Sequence, residues 1–139
     1  MATVDDKIKR LGLSPLENEG GYFRFVHLFG EGSGCIYYLI TKDSFSSLHK
    51  LKKDEVWFFL EGGKCEQLTL SEGGSIKIKP LDQNNRTTLV KENEWQATRL
   101  VEGEYALFTT IMSPHYENDD YIMPSDILIR SYPELKEWL

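Results

Sequence analysis

The stretch Ser47-Leu48-His49-Lys50-Leu51-Lys52-Lys53-Asp54-Glu55-Val56-Trp57-Phe58-Phe59-Leu60-Glu61-Gly62 decides how this chain is read. In an extended strand, side chains of one parity share a face. One parity here carries Ser47, His49 and Leu51 and, beyond the polar turn Lys52-Lys53-Asp54, Glu55, Trp57 and Phe59. Taken as two neighbouring strands joined by that turn, the segment points all six residues into one cavity that holds an imidazole and a carboxylate. The plainer alternative is a hairpin with a satisfied core histidine and a solvated glutamate. Gly62 favours the cavity, because it closes the second strand where the chain must turn.

The flanks repeat the strand pattern. Tyr22 to Phe29 is aromatic and β-branched, with Tyr22, Arg24 and Val26 on one face, and the Glu31–Gly34 turn leads into the apolar run Cys35-Ile36-Tyr37-Tyr38-Leu39-Ile40. Cys65–Leu70 and Ser75–Lys79 follow, then a loop over Pro80–Asn85, then Arg86–Val90, Trp95–Val101 and Tyr105–Ser113, each bounded by polar turns. Short strands at this spacing predict an all-β sandwich or barrel. Val4, Ile8 and Leu11 lie at helical spacing with Asp5 and Asp6 in the first turn, which predicts a short N-terminal helix. Ser125-Asp126 before Ile127, and Pro133 before Leu135 and Trp138, predict short C-terminal helical turns.

A length of 139 residues predicts one domain spanning 1–139, and 40% apolar residues with 12% aromatics suffice for an ordered core. The formal charge of −6 and the scattering of Lys and Arg exclude a nucleic-acid surface as the expected function. The opening residues are too polar for a signal peptide, and no apolar run approaches the roughly 18 residues of a membrane span, so a cytoplasmic protein without membrane contact is expected. Cys35 and Cys65 stand apart in strand patterns and are expected as reduced thiols.

His49, Glu55 and Gly62 fall in the register of the cupin pattern, in which a strand gives His-any-His, a Glu follows a short turn and a Gly comes seven residues later. Leu51 stands at the second His. In the second cupin motif, Lys91 stands for the Pro, Asn93 for the Gly and Gln96 for the His. With Glu19-Gly20-Gly21-Tyr22-Phe23-Arg24, Ile36-Tyr37-Tyr38-Leu39, Trp95-Gln96-Ala97 and Ser113-Pro114 leading to Tyr121, the chain resembles the small single-domain cupins of unassigned function grouped as cupin family five. It departs from that group at Leu16, Asn18 and Phe25. The resemblance implies a double-stranded β-helix, or jelly roll, assembled as a homodimer with its pocket inside the barrel. Fold alone does not bring a reaction.

Within that frame His49 is the candidate general base, with Glu55 orienting its tautomer. Candidate ligand-binding residues are Tyr22, Arg24, Ser47, Trp57, Trp95 and Gln96. Arg24 suits a carboxylate or phosphate, although an internal ion pair is the commoner use of such an Arg, and the tryptophans suit a ring although aromatics at strand spacing are more often core. Tyr22, Tyr37 and Tyr38 are alternative acids among which nothing in the sequence chooses. No metal and no other cofactor is expected, because Leu51 cannot coordinate and Gln96 replaces an imidazole, leaving two strong ligands. The expected partner is a small polar metabolite such as a sugar or nucleotide-sugar. The expected activity is a metal-independent epimerase or isomerase, the alternative a non-catalytic ligand-binding or sensory cupin.

Overall fold

The Lys52-Lys53-Asp54 turn does not close a hairpin: it carries the chain from one sheet to the other. In this computed structural model, which describes residues 3–139, the strand before the turn (β4, Ser46–Leu51) and the strand after it (β5, Glu55–Gly62) lie in different antiparallel sheets. The other strands are β1 (Ser14–Pro15), β2 (Tyr22–Phe29), β3 (Ser33–Ile40), β6 (Cys65–Leu70), β7 (Ile76–Leu81), β8 (Thr87–Val90), β9 (Trp95–Leu100), β10 (Ala106–Met112) and β11 (Tyr121–Ile122). One sheet runs β1-β2-β3-β10-β5-β8, and the other β11-β4-β9-β6-β7. Facing each other, they make the expected all-β jelly roll.

Three apolar clusters hold this arrangement. The inner faces enclose Ile40, Trp57, Phe59, Leu81, Leu100 and Phe108. The outer face of the six-stranded sheet offers Leu39 and Leu107 to the helix α1 (Val4–Arg10), which packs Val4 and Ile8 there. Thr3 and Asp6 form a capping box at the start of α1. The outer face of the five-stranded sheet buries Leu48, Leu68 and Ala97 against Leu135 and Trp138 of the 3-10 helix Pro133–Trp138, which follows α2 (Asp126–Ser131). Leu135 and Trp138 are almost wholly buried, and burying a side chain of that size stabilises by about 1.5–3 kcal/mol.

Two local readings change. Pro80 and Leu81 continue β7 instead of opening a loop, and Pro80 pairs with Glu66. Proline is tolerated there because β7 is the last strand of its sheet. In β4 the pairing with β9 slips between Ser46, opposite Thr98, and His49, opposite Gln96. This bulge breaks strict alternation, so the fully buried serine is Ser46, not Ser47. Gly62 has φ 109° and no room for a Cβ beside the Tyr105 carbonyl, as its place at a turn requires. Cys35 and Cys65 are free thiols on opposite sheets. No helix among the described residues is long and apolar enough to cross a membrane.

Candidate functional site

The site begins with a change along three strands of one sheet. Opposed residues of an antiparallel pair share a face. The inward series therefore run Ile40-Tyr38-Ile36-Gly34 on β3, Phe59-Trp57-Glu55 on β5 and Ala106-Phe108-Thr110-Met112 on β10. At one end Ile40, Phe59 and Phe108 pack tightly with Cys65 and Leu100. At the other, Gly34, Ile36, Glu55, Thr110 and Met112 line a cavity of about 470 Å³. Tyr38 and Trp57 belong to both ends, and their rings meet edge-on at 5.6 Å. The opposite sheet shows the same gradient: across β6 and β9 the pairs run Cys65 with Leu100, Gln67 with Thr98, Thr69 with Gln96. The buried amide of Gln67 donates to Thr98 Oγ1 at 2.9 Å and accepts from Thr88 Oγ1 at 3.0 Å.

Glu55 is the most deeply buried carboxyl of the cavity wall, 7% exposed, and its Oε1 accepts from Gln96 Nε2 at 3.3 Å. Burial, reinforced by the charge of Glu19, pushes its carboxyl from an ordinary 4.5 up to about 7, against the opposing pull of His49, Thr110 and Gln96. At neutral pH Glu55 therefore stands ready to give or take a proton.

Glu19 comes from the turn before β2 and is clamped to β4. Its backbone carbonyl accepts from Ser47 N at 2.9 Å and from Ser47 Oγ at 2.6 Å, and its Oε2 accepts from Ser46 Oγ at 2.8 Å. The following Gly20 and Gly21 have φ 102° and 77°, and a Cβ on either would collide, with the Phe45 carbonyl or with the Tyr38 ring. Tyr38 donates to the Gly20 carbonyl at 2.6 Å and completes the clamp.

His49 is fully buried behind this turn. Its Nδ1 lies 2.8 Å from the Ser47 carbonyl, and since a carbonyl only accepts, Nδ1 carries the proton. Nε2 lies 3.4 Å from Glu19 Oε1, an ion-pair distance without hydrogen-bond geometry, so Nε2 has no bonded partner. The pair is a close approach and not a hydrogen bond. The Tyr121 ring covers the imidazole, stacked at 5.3 Å and 12°. Burial pushes the Tyr121 phenol up to about 12, so it stays protonated.

Of the residues singled out in the sequence, Glu55 and Trp57 line the cavity, Gln96 touches Glu55, Ser47 holds Glu19, and His49 lies beside it. Three lie elsewhere. Tyr22 packs on the outer face with Leu13 and Val4, and Arg24 donates to the Leu11 carbonyl at the end of α1, at 3.2 Å. On β2 the parity that enters the cavity is Phe23 and Phe25, and with aromatics on both faces the pattern carried no mark of which is inner. Trp95, adjacent to the inward Gln96, points outward and meets Lys50, whose Nζ lies 5.0 Å from its ring centroid. Of the candidate acids, Tyr38 lines the cavity and Tyr37 packs on the outer face. Sequence reasoning did not single out Glu19, Thr110 or Tyr121 as site residues; the double glycine was the available mark for Glu19. Asn93, in the place of a motif glycine, adopts the left-handed conformation at φ 67°, which asparagine tolerates better than most residues. Among the described residues, no three His, Cys, Asp or Glu side chains converge as metal ligands.

Comparison with known proteins places the fold. The family described as "Cupin superfamily (DUF985)" matches residues 5–123. A hypothetical protein from Leishmania major has a similar structure, with TM-score 0.84 and 22% identity over 96% of this chain and 94% of that one. A protein from Shewanella oneidensis gives 0.85 and 25% identity over 99% and 94%. Oxalate decarboxylase from Bacillus subtilis gives 0.66 and 17% identity over 88% of this chain and 33% of its own, a likeness of fold alone. No curated protein matches the sequence.

Proposed function

The chain belongs to the family described as "Cupin superfamily (DUF985)", and on that premise we propose that the cavity between its sheets binds a small polar metabolite and exchanges a proton with it at Glu55. The observation that carries this reading is a buried carboxyl held at about 7 in the wall of a 470 Å³ cavity, a volume within the roughly 300–1,000 Å³ of small-molecule sites. Aromatic side chains of Phe23, Trp57 and Tyr121 supply apolar wall for a ring.

The chemistry is an epimerase or isomerase step beside a carbonyl. The Glu19 carboxylate takes the proton of the C–H bond, the electron pair moves into the carbonyl to give an enolate, and protonated Glu55 returns a proton to carbon. Solvent exchange of Glu19 and Glu55 resets the pair. His49, sealed from the cavity, acts through Glu19 as a positioning residue and not as the base itself.

Oxalate decarboxylase from Bacillus subtilis has Mn(II) centres. The donor set here falls short of such a group: Leu51 is apolar, Gln96 offers only a neutral amide oxygen, His49 is not part of the cavity lining, and among the described residues no three His, Cys, Asp or Glu side chains converge. A nucleotide-sugar is the less supported of the two expected ligands, since no Lys or Arg among the described residues lines the cavity to meet a diphosphate.

We place a homodimer contact on β2. Beyond Tyr22 and Phe23, which pair with β1, its outer edge has no strand partner among the described residues, and Phe25, Leu28 and Phe29 are exposed there. Light scattering that gives a monomer at micromolar concentration overturns this.

The function is tested by a thermal-shift screen of sugars, then by deuterium exchange from solvent into each hit. Exchange is expected in the wild type and lost in Glu55→Gln with binding retained. Exchange indifferent to Glu55 and Glu19 overturns the chemistry. The burial of His49 favours a second reading, non-catalytic ligand binding, and that reading predicts binding without exchange in every variant.

A further inference from the structure

We propose that the cavity selects a small organic cation, an amine or quaternary ammonium that also carries a hydroxyl or carbonyl oxygen. This rests on the cavity's being the ligand site and names the class of ligand it takes.

The charged groups in the wall are all acids. Glu17, Glu19 and Glu55 line the cavity, and no Lys, Arg or His among the described residues does so. His49, behind Glu19, does not reverse the sign. With His49 protonated and Glu55 neutral, Glu17 and Glu19 still outnumber the one imidazolium. The basic groups nearby in the chain are engaged elsewhere. Lys53, on the turn between the sheets, reaches Asp120 Oδ2 at 3.0 Å and the His115 carbonyl at 2.9 Å, and Arg24 is on the outer face. An anion entering this space meets like charge without a Lys, Arg or His to offset it, whereas a cation meets carboxylates of which Glu55 is 7% exposed, and partial burial strengthens the attraction.

The remaining wall suits a cation equally. Phe23, Tyr38, Trp57, Tyr116 and Tyr121 contribute rings to the lining, and ring faces attract ammonium groups, most of all quaternary ones. An independent feature sets the second requirement. Trp57, 1% exposed and part of the lining, has an indole N–H without an acceptor. Indole only donates, so an acceptor oxygen on a ligand seated against this ring satisfies it once the side chains that cover the nitrogen give way. Acid, ring and unmet donor together describe an amino alcohol or amino sugar better than a phosphate ester.

The test is calorimetry on the full chain at pH 7, against glucosamine, choline and ethanolamine as cations, glucose and glycerol as neutral controls, and glucose 6-phosphate as anion. At least one cation is expected to bind about tenfold or more tightly than its neutral control, with the phosphate weakest. That advantage is expected to fall away in Glu19→Gln and Glu55→Gln, while Trp57→Phe weakens cations and neutral probes alike; circular dichroism of each variant establishes that it is folded. Glucose binding as tightly as glucosamine, yet weakened by Trp57→Phe, overturns the cation and leaves the cavity reading standing. The phosphate binding most tightly, or no cation binding at all, also overturns it. Binding indifferent to all three substitutions moves the ligand elsewhere and overturns the cavity reading as well.

Discussion

The two ends of the barrel interior are built from the same strands and the same parity, yet one is packed and the other is open. On β10 the inward residues pass from Phe108, fully buried among aromatics, to Thr110 and Met112 on the cavity wall; on β5 they pass from Phe59 to Glu55. Alternation explains the inward direction of all of them and not the difference in filling. What differs is side-chain volume and polarity at successive positions, so a function is written into this fold by residue choice along a strand and not by topology.

The largest expected effect breaks that comparison if it fails. Phe108→Ala removes a ring from the packed end and is expected to cost about 3–5 kcal/mol in urea denaturation, whereas Ile36→Ala, on a wall that already faces open space, is expected near the bottom of the aliphatic range at about 2 kcal/mol. Equal losses would mean that both ends are packed alike.

Next is the pH dependence of the open end. The folded pKa of Glu55 is raised, so between the ordinary 4.5 and about 7 the native state holds a proton that the unfolded chain releases, and stability falls as pH rises. The stabilisation is fully present below the unfolded value and is lost as pH passes the folded one. Glu55→Gln is expected to remove this slope, a relative gain on the order of 3 kcal/mol above pH 7. Thermal melts from pH 4 to 8 that keep the wild-type slope in the variant would assign the titration to another group.

A smaller effect tests how the acid is held. Gly20→Ala places a methyl group against the Phe45 carbonyl at φ 102° and is expected to cost roughly 2 kcal/mol, with loss of ligand binding as Glu19 shifts. Unchanged stability and binding would show that the clamp on Glu19 is not needed. The smallest effect separates inside from outside: Arg24→Ala loses one bond to the end of α1, is expected to cost about 1 kcal/mol or less, and leaves ligand affinity unaltered.

Strand positions were legible because alternation is local. The grouping of His49, Glu55 and Trp57 was legible for the same reason, since odd positions on either side of the Lys52–Asp54 turn face the interior whichever sheet they join. The sheet assignment was not legible: a polar turn of that length serves a hairpin and a crossing equally well. The bulge between Ser46 and His49 was hidden because an inserted residue has no sequence mark where polar and apolar residues already mix. Glu19 lies in a turn without periodicity, and its importance arises from contacts with Ser46, Ser47 and His49, all distant in the chain.

Tyr38 and Trp57, where filling gives way to open space, act as a false floor under the cavity. The depth of the cavity is therefore set by two side chains and not by the diameter of the barrel. Exchanging those two rings is a way to deepen or fill that space while every strand, turn and outer helix stays as it is.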